Sequence, residues 1–167
     1  MGSFEICTLA SGSKGNCTYI KSGNTSLIVD EGLTVKELKL RAALRGIDLD
    51  KVSAVLVTHE HSDHVKGVSQ FCNEYGAKAY MPLTCFETLR SRGDVISSYE
   101  HVDGFEAGFD IGDIRVEPFR LPHDARYTVG YRLSDGKTDI AIATDLGFVS
   151  DNTRSRLSGC KAVVIES

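Results

Sequence analysis

The segment Val52–His64, VSAVLVTHEHSDH, constrains this chain more than any other. Its first half is almost uninterrupted apolar sequence, the pattern of a strand covered on both faces rather than one lying half in solvent. Such a strand needs neighbours in a sheet and further layers above and below it. The second half places three of the chain's five histidines, an aspartate and a glutamate in six positions. Ionisable groups crowded at the end of a buried strand require partners. Imidazoles two residues apart in extended chain project to the same side, so His59 and His61 can converge on one ion. Asp63 and His64, on the turn into a helix, can face a second. Imidazole and carboxylate together suit a divalent transition metal, Zn or Mn among others, without selecting one.

The flanking sequence supplies the layers. FEICTLA, CTYIKSG and SLIVDEG, separated by SGSKGN and SGNT, read as a β-meander. TVKELKLRAALRG reads as a helix with Thr34 as N-cap and Gly46 as its stop, HVKGVSQFCNEYG as one ending at Gly76, and TCFETLRSRG as a third. From Val95 onward VISSYEHV, FEAGFDIG, IRVEPFRLP, YTVGYRLSDG and DIAIATD return to strand character, followed by a short helix in SDNTRSRLSG and a last strand in KAVVIES. This mixture predicts an α/β chain, one domain over residues 1–167, with sheets flanked by helices. No apolar run approaches the roughly 20 residues of a membrane span, and the start has no secretory leader, so a cytoplasmic protein without membrane contact is expected. Five cysteines without CxxC spacing read as reduced residues, mostly buried, and not as zinc ligands. The net charge of −4 gives no general attraction for a polyanion, so a phosphate substrate would need help from bound cations.

THEHSDH matches the HxHxDH signature of the metallo-β-lactamase superfamily, and three further landmarks of that family follow its order: Asp30 in LIVDEG, His123 in LPHDA and Asp145 in IATDLG. With the opening LASGSKGN, the chain resembles the YycJ-like branch over essentially its whole length. The resemblance implies an αββα sandwich. It also implies His59, His61 and His123 on a first metal, Asp63 and His64 on a second, Asp145 bridging the two, and Asp30 orienting the ligand loop without being a ligand. The family carries one more histidine in its C-terminal part, and none follows His123 here. The resemblance therefore implies a C-terminally truncated domain whose second sheet is incomplete. It further implies a weakened second metal site and self-association through the uncovered sheet.

Other residues take plainer readings. Glu60 is not the general base of an HExxH enzyme, because that motif needs histidines four apart on a helix and these are two apart. Glu60 and Ser62 are expected to point away from the metals, and His101, in SYEHVDG, to lie on the surface. ASGSKGN lacks the P-loop pattern and reads as a hairpin turn, with substrate contact from Ser11, Ser13 or Lys14 left open. Lys36, Lys39, Arg41 and Arg45 read as a solvated basic face. The reaction expected is hydrolysis by a metal-activated water oriented by Asp63 or Asp145. The branch resemblance points to a phosphodiesterase, a DNA exonuclease with nucleic acid as substrate. A thioester or lactone hydrolase of the glyoxalase II kind and a metal-binding protein with little turnover are the alternatives.

Overall fold

The apolar run is a strand, β4 (Val52–Leu56), in which every residue but Ser53 is buried. The computed structural model describes residues 3–104, 107–122 and 125–166. In it β4 pairs in parallel with β3 (Thr25–Val29) on one side and β5 (Lys78–Met81) on the other. β1 (Glu5–Ala10) and β2 (Cys17–Ser22) join β3 as the expected antiparallel meander, and β6 (Tyr99–His101) extends the sheet beyond β5. The second sheet runs β11-β10-β9-β8-β7, from β7 (Phe109–Ile111), β8 (Ile114–Leu121), β9 (Thr128–Ser134), β10 (Asp139–Ala143) and β11 (Ala162–Ile165). Its pairs are antiparallel except β10 with β11.

Alternation along β3 and β4 divides the core in two. Ile28 and Val55 face a helical layer, meeting Leu38 and Ala42 of α1 (Val35–Leu44), Phe71 and Cys72 of α3 (Val68–Tyr75), and Cys85 and Leu89 of α4 (Leu83–Ser91). Leu27, Val29, Ala54 and Leu56 face the second sheet, against Val116, Tyr131, Leu133 and Ile142. Each large side chain so buried stabilises the fold by about 1.5–3 kcal/mol. On the far side, Leu157 of α5 (Asp151–Leu157) packs on Phe119, Leu121 and Ala143. The layers are helix, sheet, sheet, helix, the expected αββα arrangement. The second sheet is thus less bare than the sequence suggested, since α5 covers part of it. Its edge strand β11 still exposes Val163 (37%) and Ile165 (54%). No described helix is long and apolar enough to cross a membrane.

Two elements depart from the sequence reading. The helix expected from His64 to Tyr75 is broken into α2 (Ser62–Val65) and α3 at Gly67. A Cβ at Gly67 would lie 1.5 Å from Glu31 Oε2, and the Gly67 amide donates to the Glu31 carbonyl instead of continuing the helix. The strand expected from Val95 shrinks to three residues because its start is tied to α3: the Ser69 hydroxyl donates to the Val95 carbonyl, and Asn73 Oδ1 accepts from the Ser97 amide. The helix α1 begins as expected, with the Thr34 hydroxyl accepting from the Glu37 amide. Its basic face is more engaged than anticipated. Lys39 pairs with Glu74, and Arg41 binds Glu37 and donates to the Leu9 carbonyl.

Candidate metal centre

β3 and β4 are parallel neighbours, so the residues that follow them emerge side by side at one edge of the sandwich. Asp30 follows β3 at φ 57°, and Asp145 follows β10 at φ 55°; among the described residues these are the non-glycine positions with positive φ. Aspartate tolerates that conformation better than most residues, but backbone held there at two positions facing one site marks a functional constraint. In the sequence both aspartates stand out by their places at strand ends, with no signal for their backbone.

Asp30 organises the first sheet's side of the centre. Its Oδ1 accepts from the Thr58 amide at 2.8 Å, and its Oδ2 accepts from the Thr58 hydroxyl at 2.8 Å and lies 2.7 Å from His64 Nδ1. With its proton directed to Asp30, the Thr58 hydroxyl accepts from His59 Nδ1, 2.9 Å away. The Nδ1 atoms of both rings are thereby used, and each ring turns its Nε2 toward Asp145: both lie 3.0 Å from Asp145 Oδ2. His59 and His64 are fully buried and Asp30 is 1% exposed. The second sheet also braces this loop, through the Val129 amide on the Thr58 carbonyl and the Tyr131 hydroxyl on the Val57 carbonyl.

The remaining sequence-predicted residues divide clearly. His61 is exposed, its ring 4.5 Å from that of His59, and His59, His61 and Asp145 each offer one donor atom within 4.8 Å of the others. Asp63 Oδ2 is 3.4 Å from His64 Nε2. His123 lies outside the described residues. Glu60 is turned to the Arg126 amide, which donates to its Oε1 at 3.1 Å, Ser62 is exposed on α2, and His101 is exposed on β6.

Sequence reasoning missed Asn16 and Thr58. The buried Asn16 amide group donates to Asp63 Oδ2 at 3.1 Å and reaches His64 Nε2 at 3.0 Å, while its Oδ1 accepts from the Gly12 amide. The hairpin loop SGSKGN is therefore a wall of the site. The one available signal was a polar, glycine-rich turn whose Asn had no evident local task.

The electrostatics suit a cation. Burial opposes a charge on His64, yet Asp30, Asp145 and Asp63 hold its pKa up to about 9. Burial, followed by the charge of His64, pushes His59 down to about 4. A buried imidazole held neutral at His59, a second at His64 that an ion would relieve of its proton, and carboxylate oxygens converging on them are the donor set of a transition-metal site. The residues present fit such an ion.

This fold and donor set define a class. Residues 26–167 match the family model described as the beta-lactamase superfamily domain, and the chain belongs to that family, with a metallo-β-lactamase fold. The chain is 32% identical to exodeoxyribonuclease YycJ of Bacillus anthracis and 33% identical to exodeoxyribonuclease WalJ of Streptococcus pneumoniae, in each case over 98% of its own length. It spans 62% of the length of these relatives. Among solved structures it resembles a metallo-β-lactamase of Cronobacter sakazakii, with TM-score 0.73, 12% identity and coverage of 96% of this chain and 76% of that one. Zn2+-bound PqqB of Methylobacterium extorquens has TM-score 0.73 and 16% identity, covering 91% and 60%.

Proposed function

We propose that the chain is a metal-dependent phosphodiesterase acting on DNA as an exonuclease. The observation that carries this reading is the convergence of His59, His61 and Asp145, with His64 against the same Asp145 carboxylate and Asp63 against His64, in a chain similar to two exodeoxyribonucleases. In this reading His59 and His61 hold a first ion, together with His123 by family resemblance. Asp63 and His64 would hold a second, with Asp145 between the two. Zn or Mn fits the donor set. A bound divalent ion supplies Lewis acidity toward phosphoryl oxygens and a water that ionises near neutral pH.

The protein's own part is positional. Asp30 and Thr58 fix both Nδ1 atoms so that the Nε2 lone pairs face inward. Asp145, at the meeting point of His59 and His64, and Asp63 orient the attacking water and take up its proton. A cytoplasmic location, where a DNA substrate would be met, belongs to the same reading. Self-association through β11 is part of the same proposal, supported by the exposed Val163 and Ile165 on that edge; a monomer in sedimentation at high concentration contradicts it.

The test is hydrolysis of single- and double-stranded DNA with Mn2+ or Zn2+, compared with a thioester and a lactone. Release of nucleotides from DNA ends, lost in His61→Ala, is the expected result. Turnover of the thioester or lactone with DNA untouched, or DNA hydrolysis unaffected by His61→Ala, contradicts the proposal.

A further inference from the structure

Beside the metal centre, on the side of Asp63, a cleft of about 360 Å³ is lined by Ser13, Lys14, Gly32, Ser62, Asp63 and Lys66. Two lysines and one carboxylate line it, in a chain of net charge −4. Lys21, Lys39, Lys51 and Lys78 are paired with carboxylates, whereas the exposed ammonium groups of Lys14 and Lys66, like those of Lys36, Lys137 and Lys161 elsewhere, form no hydrogen bond or salt bridge among the described residues, and Lys14 and Lys66 share this one cleft. Two hydroxyl groups, those of Ser13 and Ser62, complete the donor lining. One wall ends at the carboxylate that contacts His64.

The cleft is also built rigidly. The Asn16 amide donates to the Asp63 carbonyl at 2.7 Å, the Gly32 amide to the Asn16 carbonyl at 2.9 Å and the Glu31 amide to the His64 carbonyl at 3.0 Å. A Cβ at Gly32 would stand 1.6 Å from the Asp63 carbonyl oxygen, so only glycine lets the strand-end loop lie this close. The hairpin loop that carries Lys14 is thus joined by backbone to the loop that carries Asp63. Lys66 lies three residues beyond Asp63, at α2, and is therefore on the same face.

We propose that Lys14 and Lys66 form a subsite for the backbone phosphates next to the one being cleaved, gripping the polynucleotide as it approaches the centre from the Asp63 side. This rests on the phosphodiesterase reading and adds to it the side of approach and the residues that recognise a chain rather than a single diester. Ammonium groups bind phosphate as point charges without reading sequence, so the subsite confers affinity for nucleic acid and no base preference.

The test is the affinity of the whole chain, with Mn2+, for a labelled phosphorothioate-linked strand of ten thymidines, measured by anisotropy over a range of NaCl. Lys14→Ala/Lys66→Ala should weaken binding about tenfold at low salt and flatten the dependence of log K on log salt by about 1.4, near 0.7 for each phosphate of a single strand that is no longer neutralised. Lys14→Arg/Lys66→Arg should retain the slope. Lys21→Ala/Lys51→Ala, which removes equal charge near the opposite end of the first sheet, should change affinity less than about twofold. Hydrolysis of bis(p-nitrophenyl) phosphate, which has no neighbouring backbone phosphate for the lysines to hold, should change less than about twofold in the cleft variant. A cleft variant that binds like the unmodified chain, or no worse than the Lys21/Lys51 control, overturns the subsite and leaves the phosphodiesterase reading standing. An unmodified chain that hydrolyses the small diester but does not bind the strand overturns the subsite and DNA as the substrate, and leaves phosphodiester hydrolysis standing. Failure of the unmodified chain with both substrates overturns the phosphodiesterase reading, and the subsite with it.

Discussion

The first sheet brings Asp30, Thr58, His59 and His64 to the centre already hydrogen-bonded to one another and almost wholly buried. The second sheet contributes Asp145, with a quarter of its side chain exposed, on a turn held at positive φ. The difference separates two tasks. Buried hydrogen bonds on the first side fix ring orientation through neighbouring residues, at the ends of strands whose register is set by a core on both faces. Among the described residues, the second side closes the centre through one carboxylate that meets both buried imidazoles. Among the described residues, orientation is distributed over several and closure is concentrated in one.

Substitutions on the two sides should separate these tasks. Asp145→Ala should have the largest effect, lowering affinity for Mn2+ or Zn2+ more than about 100-fold, beyond the roughly 10–100-fold typical of an outer partner. Melting should change little, because the residue is partly exposed; metal affinity that survives would mean that Asp145 does not close the site. Asp30→Asn should fall within the roughly 10–100-fold range for metal and also destabilise the fold by on the order of 3 kcal/mol, since a buried charged partner of His64 is removed. Denaturant unfolding alongside metal titration checks both. Equal losses of stability in the two variants would erase the proposed division.

A smaller effect concerns Glu31, fully buried beneath the first side, with neither carboxylate oxygen in a hydrogen bond of normal geometry. Burial pushes its pKa up to about 8 from 4.5, with the Leu33 amide and Lys66 pulling the other way. The folded chain therefore keeps a proton that the unfolded chain releases. The stability this contributes is complete below about pH 4.5 and is lost as pH rises through about 8. Glu31→Gln should accordingly be more stable than the parent at about pH 9, by on the order of 1–3 kcal/mol, with the gap closing toward about pH 5. A pH-independent difference would contradict this. Asn16→Ala should cost about 1–2 kcal/mol for the missing bonds to Gly12 and Asp63, and a thermal melt indistinguishable from the parent would remove Asn16 from the wall of the site.

What could be read from the sequence follows the same division. Spacing alone brought His59, His61, Asp63 and His64 together, because they sit within six residues of one strand end. Asp30 and Asp145 could be placed only by the family resemblance, since an aspartate at a strand end is common, and nothing local announced their left-handed backbone. The layered architecture was legible in the doubly buried β4 and in the alternation of β8 and β9. Asn16 was not legible, since its partners Asp63 and His64 are 47 and 48 residues away and a glycine-rich turn explains itself locally. The break at Gly67 and the shortened β6 were missed for a related reason. Each depends on a long-range contact, with Glu31 and with Ser69 and Asn73, that competes with the local pattern.

Metal content per chain, measured on protein purified without added metal and compared with the His59→Ala/Asp145→Ala variant, tests the central claim most directly. The account predicts between one and two transition-metal ions per parent chain and less than about a tenth of that in the variant. A parent chain that carries no metal, binds none on titration and still hydrolyses phosphodiesters would contradict it.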